Sequence, residues 1–213
     1  MQIHLKPFFS FVVIFLIILT FFSKEASAAN RFCDFDEYLE HLPRLSKINP
    51  TQRIDRIVIS KKQRKLYLFS KNLLYKSYNV AFGMFYNLGP KQFDGDYKTP
   101  EGLYYIDFKK QNSNYYKALH VSYPNESDIK HARSYGQSAG GDIMIHGFPK
   151  NGLKEFVGVN IAALHPNTDW TRGCIAVTNS EMDEIFNLVS APDVARKFQK
   201  KQNTLTPVEI CPN

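Results

Sequence analysis

From Ile54 onward the chain alternates short runs of β-branched and aromatic residues with turn formers, a texture that leaves few folds open to it. Arg56-Ile57-Val58-Ile59-Ser60 and Lys65-Leu66-Tyr67-Leu68-Phe69, joined by Ser60 to Arg64, read as a hairpin. Residues 74–82 continue as a further strand ending at Gly83. Gly89-Pro90, Asp94-Gly95-Asp96 and Thr99-Pro100-Glu101-Gly102 then punctuate the chain between apolar runs such as Leu103-Tyr104-Tyr105-Ile106 and Ala118-Leu119-His120-Val121. Strands this short and turns this frequent predict a mainly β sandwich or barrel with a few short helices, not a parallel α/β sheet. Helical periodicity is clear over 180–188, where Met182, Ile185, Phe186 and Val189 share a face. Asn179 or Ser180 is the expected cap there, and Glu181, Asp183 and Glu184 suit the positive end of the helix dipole. A strand over 206–210 is expected to close the fold. Residues 29–53 form a polar lead-in with a short helix expected over 35–45.

The compartment decides how the cysteines are read. Lys6 precedes a run of 15 residues from Phe8 to Phe22 that is apolar but for Ser10 and Thr20, and Ala26-Ser27-Ala28 follows. Charge, apolar core and small-residue site in that order predict a secretory signal over 1–28, cleaved before Ala29. The other reading is an uncleaved anchor, for which the run falls short of the roughly 20 residues that span a bilayer. Cleavage leaves 185 residues with 25 basic and 19 acidic side chains, a net charge of +6, and no further membrane span. That is one domain's worth of chain. Outside the cytoplasm a basic balance points to cell-wall polymer or anionic lipid as partner and away from nucleic acid; mere solubility is the plainer reading of the same charge.

Three cysteines in an oxidising compartment leave one over. Cys33 lies just past the cleavage site and Cys211 is two residues from the end, so a Cys33–Cys211 staple of the termini is expected, with Cys174 free. A free Cys is either an inert core residue or a working thiol. Gly173 permits close backbone approach and Arg172 supplies a positive charge expected to favour thiolate. Cys174 stands just before the apolar run Ile175-Ala176-Val177, and His146 ends the run Ile143-Met144-Ile145-His146. Both therefore belong at strand ends, where a scaffold holds a nucleophile and a base in register. Residues 148–169 between them are expected to form a loop and helix walling the site.

Three stretches, Lys98-Thr99-Pro100-Glu101-Gly102-Leu103-Tyr104, Gly140-Gly141-Asp142-Ile143-Met144-Ile145-His146-Gly147 and Asp169-Trp170-Thr171-Arg172-Gly173-Cys174-Ile175-Ala176-Val177-Thr178-Asn179, carry a resemblance. In that order they resemble the L,D-transpeptidase catalytic domain, also called the YkuD domain, and the likeness runs from about Ile54 to Ile210. It implies a catalytic domain over 54–211 with a β-sandwich or barrel fold and a Cys nucleophile acting on peptidoglycan stem peptides. Such proteins cut between a third-position diamino acid and D-Ala, then pass the acyl group to another stem's amine. Relatives use water, a free D-amino acid or a lipoprotein lysine instead, or hydrolyse the lipoprotein link. The protein is then exported to a periplasm or cell envelope.

Carried over to this chain, the resemblance makes Cys174 the nucleophile and His146 its base, against the plain alternative of a core histidine beside a Gly turn. Gly173 and Cys174 then offer consecutive N–H groups to an oxyanion. Arg172 stands where the family often has His; it cannot act as a base, so it either grips a substrate carboxylate or faces solvent. His120, Tyr123 and Gly147 are candidate cleft residues, while His131 and His165 are read as surface. No short ligand spacing suggests a metal, and the chemistry calls for no cofactor. A hydrolase on the same scaffold and a non-catalytic wall-binding protein remain as alternatives.

Overall fold

Both faces of the first two strands are buried, and that double burial organises the sheet. The structure is a computed structural model describing residues 33, 39, 41–45, 53–150, 160–192 and 205–213. In β1 (Arg56–Ser60) and β2 (Lys65–Ser70), Ile57, Ile59, Leu66 and Leu68 point into the main core. Val58, Tyr67 and Phe69, which alternate with them, point the other way into a second cluster with Leu39, Leu74 and Cys211. A strand covered on both sides reads as an unbroken apolar run. Each such side chain contributes about 1.5–3 kcal/mol by leaving water.

What covers the outer face is the lead-in. A disulfide joins Cys33 to Cys211, and Arg44 bridges in parallel to Leu74 through Leu45 N–H to Leu74 O at 2.8 Å and Leu74 N–H to Pro43 O at 2.9 Å. Of the helix expected over 35–45, residues 35–38 and 40 lie outside the described residues; Leu39 and His41 have 3-10 helical backbone, and 43–45 are extended and paired with the sheet. The signal expected over 1–28 also lies outside the described residues. Among the described residues no helix is long and apolar enough to cross a membrane.

The remaining strands are β3 (Leu73–Asn79), β4 (Gly102–Ser113), β5 (Tyr116–Val121), β6 (Met144–His146), β7 (Ile175–Ala176) and β8 (Thr206–Cys211). They form one mixed sheet in the order β3-β2-β1-β8-β4-β5-β6-β7, a mainly β, half-barrel architecture. Lys71 and Asn72, both at positive φ, make the two-residue turn of the β2–β3 hairpin. The strand expected over 206–210 is present as β8, and it lies inside the sheet, parallel to β1 and antiparallel to β4. Its pattern of five buried residues in six follows from that position.

The two sheet edges meet. Just past β3, Ala81 exchanges hydrogen bonds of 3.0 and 2.8 Å with Ala176 of β7, and Gly83 bridges to Thr171. The sheet thus curls until its first and last strands touch at one end, which shields both edges there. Helix α3 (Asn179–Leu188) fills the interior with Met182, Ile185 and Phe186. Its cap is Thr178, in a capping box with Glu181, and not Asn179 or Ser180. The short α2 (Ile161–Leu164) lies in the stretch expected to hold a helix between His146 and Cys174.

One helix was not expected: α1 (Glu126–Ser134) buries only Ala132, so it carries no apolar stripe to read. Asn125 and Asp128 start it with a reciprocal capping box, and Asp128 also accepts from the Tyr104 hydroxyl at 3.2 Å.

The staple of the outer face is expected to matter for stability. Non-reducing peptide mapping should recover the Cys33 and Cys211 peptides joined, and Cys33→Ala should lower the urea-unfolding free energy by about 2–4 kcal/mol; two free thiols in the native protein would refute the pairing.

Candidate active site

The segment before Cys174 is held by hydrogen bonds at Asp169, Thr171 and Gly173. Asp169 receives both ends of the Arg64 guanidinium, Nη1 to Oδ2 at 2.8 Å and Nη2 to Oδ1 at 2.9 Å, and its Oδ1 also accepts the Phe82 N–H at 2.8 Å. Arg64 reaches further to Pro166 O at 2.8 Å and Tyr86 OH at 2.6 Å. Thr171 then lies in a bridge, its N–H on Phe82 O at 3.1 Å and its carbonyl accepting Met84 N–H at 3.0 Å. The Thr171 hydroxyl donates to Cys174 O at 2.6 Å and accepts the Gly173 N–H at 3.1 Å.

Gly173 is required by both conformation and space. Its φ is +127°, and a Cβ there would stand 2.7 Å from Lys98 O. Opposite it, a Cβ on Gly83 would meet Tyr97 O at 2.3 Å and Gly173 Cα at 3.0 Å. The two glycines let the segment that carries Cys174 seat against the closing end of the sheet. The Gly173 N–H, one of the two oxyanion donors expected from sequence, is already held by the Thr171 hydroxyl in this state.

His146 is brought alongside by strand order, since β6 and β7 are parallel neighbours with His146 paired to Ala176. Its Nδ1–H donates to Gly147 O at 2.7 Å, which leaves Nε2 as the acceptor. Tyr115 lies over the ring at a centroid distance of 4.6 Å and Trp170 meets it edge-on at 5.7 Å. Cys174, partly exposed, donates its thiol to Asp142 O at 3.5 Å, a carbonyl aimed by the positive φ of Asp142.

His146 and Cys174 are shared walls of two cavities. One, of about 80 Å³, is completed by Tyr115, Trp170, Thr171 and Arg172. The other, of about 230 Å³, opens toward Lys110, Ser113, Asn114, Asp142 and Met144, with Tyr115 again between. The arrangement sets a thiol and an imidazole on the walls of both cavities.

Burial pulls the His146 imidazole down to about 4, against the Gly147 bond that favours its charged form. Burial likewise pushes the Cys174 thiol up to about 11, with Asp142 adding to the rise and Lys91 opposing it. Both groups therefore rest neutral at pH 7. The thiolate expected from Arg172 is not the resting state: the Arg172 guanidinium lies over the Tyr97 ring at 5.9 Å, and burial outweighs the charges near the sulfur.

The other candidates are placed as follows. Gly147 leaves room for Asn179, whose Oδ1 would stand 2.5 Å from a Cβ there and which accepts the Phe148 N–H; its carbonyl orients His146. Tyr123 is a core residue with its hydroxyl on Ala139 O at 2.9 Å. His120 is buried, 2.6 Å from Asp107 and stacked on Phe108 at 4.4 Å. Neither Tyr123 nor His120 lines the two cavities. His131 is exposed against Gln92, while His165 is half-buried beside Phe148 and not a surface residue. Among the described residues the trio of ligand atoms close enough to share a cation is Cys33, Cys211 and Glu209, where both sulfurs are spent in the disulfide. Sequence reasoning missed Tyr115, which no motif marks, and the Arg64–Asp169 pair, of which only Asp169 adjoins a motif.

A family model described as the L,D-transpeptidase catalytic domain matches residues 54–210. A curated protein of Escherichia coli (strain K12), named "Putative L,D-transpeptidase YafK", is 37% identical over 105 residues, 48% of this chain and 32% of that protein. The chain thus spans about a third of the length of the curated relatives it matches. Among solved structures, the helical cell shape determining protein Pgp2 (K307A mutant) from Campylobacter jejuni is similar at 22% identity and TM-score 0.48, covering 82% of this chain and 53% of that one. Bdellovibrio bacteriovorus Bd1075 is similar at 23% identity and TM-score 0.45, over 81% and 53%.

Two outcomes are expected of this geometry. The rate of Cys174 alkylation by iodoacetamide should keep rising with pH beyond 9, because a thiol raised to about 11 gains thiolate only there; a plateau between pH 6 and 8 would show a preformed ion pair. Arg64→Met should lower stability by roughly 1–3 kcal/mol in chemical denaturation, through the stranded Asp169 carboxylate, and should loosen the Thr171–Cys174 segment in amide exchange.

Proposed function

The chain belongs to the L,D-transpeptidase catalytic-domain family, and from that premise we propose that it is a cysteine acyltransferase acting on peptidoglycan stem peptides. The observation that carries the reading is the shared wall: Cys174 and His146 border two cavities at once. A transferase needs a place for the acyl donor and a place for what leaves and what arrives.

The steps follow from a neutral resting pair. As Cys174 Sγ forms a bond to the carbonyl carbon of the donor, His146 Nε2 takes the thiol proton, and the electron pair of the C=O moves onto oxygen. The Cys174 N–H is positioned to donate to that oxyanion; loss of such a donor commonly costs about 10²–10³ in rate. Collapse breaks the C–N bond to D-Ala, whose amine leaves with the proton from His146. An acceptor amine then attacks the thioester and gives its proton to His146. Collapse breaks the C–S bond, and the proton returns to sulfur. Charge appears only in transit, which suits an imidazole whose burial disfavours a standing positive charge.

Arg172 at the smaller cavity is suited to the carboxylate of the departing D-residue, the cationic fork matching it in two-point fashion. In this reading residues 1–28 direct export, 54–211 are the catalytic domain, and the work is cell-wall remodelling at the envelope. Gly173 contributes by seating the loop.

Incubation with purified disaccharide-tetrapeptide and a free D-amino acid, read by mass spectrometry, tests the assignment. Cross-linked dimer or exchanged D-residue is expected, and neither should appear with Cys174→Ala. Tripeptide alone would reassign the protein as a carboxypeptidase on the same scaffold; full activity in Cys174→Ala would overturn the mechanism.

A further inference from the structure

A third cavity lies apart from Cys174 and takes no part in the transfer chemistry. It has a volume of about 480 Å³, inside the roughly 300–1,000 Å³ of small-molecule sites, and it shares no lining residue with the two cavities that border the thiol. Its floor is apolar, made by Pro124, Ile129 of α1 and Ala139. Its rim is rich in donors: Arg133, one helical turn on from Ile129, with Gln137 and Ser138 of the segment that follows α1. Hydrogen bonds fix the walls in advance. Ala139 O accepts the Tyr123 hydroxyl at 2.9 Å, Ser138 O the Asp94 N–H at 2.7 Å and Ser138 Oγ the Gly140 N–H at 3.1 Å.

The rim groups are unspent, while their neighbours are engaged. Among the described residues no ion pair or hydrogen bond holds the exposed Arg133 guanidinium or the Gln137 side-chain amide. On the same helix Asp128 accepts the Asn125 N–H and the Tyr104 hydroxyl, His131 meets Gln92, and Ser134 donates to His131 O at 2.6 Å. Each rim group fits one kind of ligand atom. The guanidinium fork matches a carboxylate in two-point fashion, and a single cation in the lining suits a monoanion better than a phosphate dianion. A primary amide, with both a donor and an acceptor, pairs with another amide. The Ser138 oxygen already accepts from Gly140, which leaves its proton to give. An apolar floor under such a rim accepts the C–H face of a sugar ring.

We propose that the cavity between α1 and residues 137–140 binds an amino-sugar disaccharide bearing a free carboxylate, as in a wall glycan strand whose stem peptide has been removed from one ring. Arg133 holds the carboxylate, Gln137 the acetamido group and Ser138 a ring hydroxyl, with the ring face on Pro124, Ile129 and Ala139. The site goes beyond the proposed function and rests on it only for the choice of wall glycan among carboxylated sugars. Its place in the chain has a use. Gly140 leads through Gly141 to Asp142, whose carbonyl receives the Cys174 thiol, so the wall that holds the glycan is continuous with the segment that holds the nucleophile. A strand seated there is tethered beside the active site through a ring that carries no stem, and the stems on its other rings remain available as donors.

Isothermal titration calorimetry of the full chain tests the site with three probes. The first is N-acetylglucosaminyl-N-acetylmuramic acid with its lactyl carboxylate free. Chitobiose has the acetamido groups and no carboxylate, and digalacturonate has carboxylates and no acetamido group. The native protein is expected to bind the first about tenfold more tightly than either of the others, the scale of one charge-assisted contact. Arg133→Met, a change at an exposed side chain, should lower the first probe to the affinity of chitobiose. Gln137→Leu should weaken the first probe and chitobiose severalfold and leave digalacturonate unchanged. Saturating first probe should not slow alkylation of Cys174 by iodoacetamide. No saturable binding, equal affinity for the first probe and chitobiose, unchanged binding in Arg133→Met, or protection of Cys174 would overturn the site; digalacturonate bound as tightly as the first probe would overturn the amino-sugar assignment. D-Ala release from a disaccharide-tetrapeptide, measured on the same protein, separates the two proposals. Release without probe binding overturns the site alone, and probe binding with neither release nor acylated Cys174 overturns the proposed function alone.

Discussion

The ion pair between Arg64 and Asp169 is the interaction on which the rest of the site depends. It joins the turn after β1 to the residue that opens the nucleophile segment, 105 positions later in the chain. A half-barrel has an intrinsic difficulty: its two edges must be brought together by something other than a ladder. Here the ladder supplies only two isolated bridges, Ala81 to Ala176 and Gly83 to Thr171. The guanidinium, fixed further by Pro166 and Tyr86, sets Asp169 so that its carboxylate also caps the Phe82 N–H. The planar fork of Arg makes this a geometric constraint as much as an electrostatic one. With Asp169 set, Thr171 falls into its bridge, and its hydroxyl fixes both Gly173 and Cys174.

Much of this was legible in the sequence, and what was not has identifiable causes. β1 begins and ends at the expected residues because a double-buried strand is bounded sharply by polar Arg56 and the turn after Ser60. The helix at 179–188 was legible from its stripe, though its cap was displaced by one residue because Asn179 is used to support Phe148 beneath Gly147. Helix α1 escaped notice since capping and propensity, not an apolar face, hold it. β8 reads locally as a strand, but nothing local says that the chain's last strand is inserted between β1 and β4; that is topology. Tyr123 and His120 looked like cleft residues by their place beside a motif, whereas strand alternation turns them toward Ala139 and Asp107. The Arg64 partnership lacked any signal, as a turn residue gives no hint of a contact 105 positions away.

The outer cluster and the active site solve different problems with the same element of sequence, the cysteine. Cys33 and Cys211 lock a lead-in segment over Val58, Tyr67 and Phe69, so that apolar residues on the second face of the sheet are shielded from water. Cys174 must do the reverse and remain a thiol in the same chain as a disulfide. The thiolate is the species that attacks disulfides and oxidants. A thiol raised to about 11 rests protonated at pH 7.

That neutrality has a chemical consequence. A thiol kept neutral by burial and by Asp142 offers no standing thiolate, so in the proposed chemistry its proton would leave as the carbonyl is attacked, with His146 the proposed acceptor in a pocket that disfavours imidazolium. On the proposed mechanism the stabilisation arrives with the substrate, whose oxyanion would accept the Cys174 N–H. Coupling of that kind lets binding energy from a remote part of the donor lower the barrier at the sulfur. On the proposed mechanism it also makes the reactivity of the thiol conditional on a bound acyl donor.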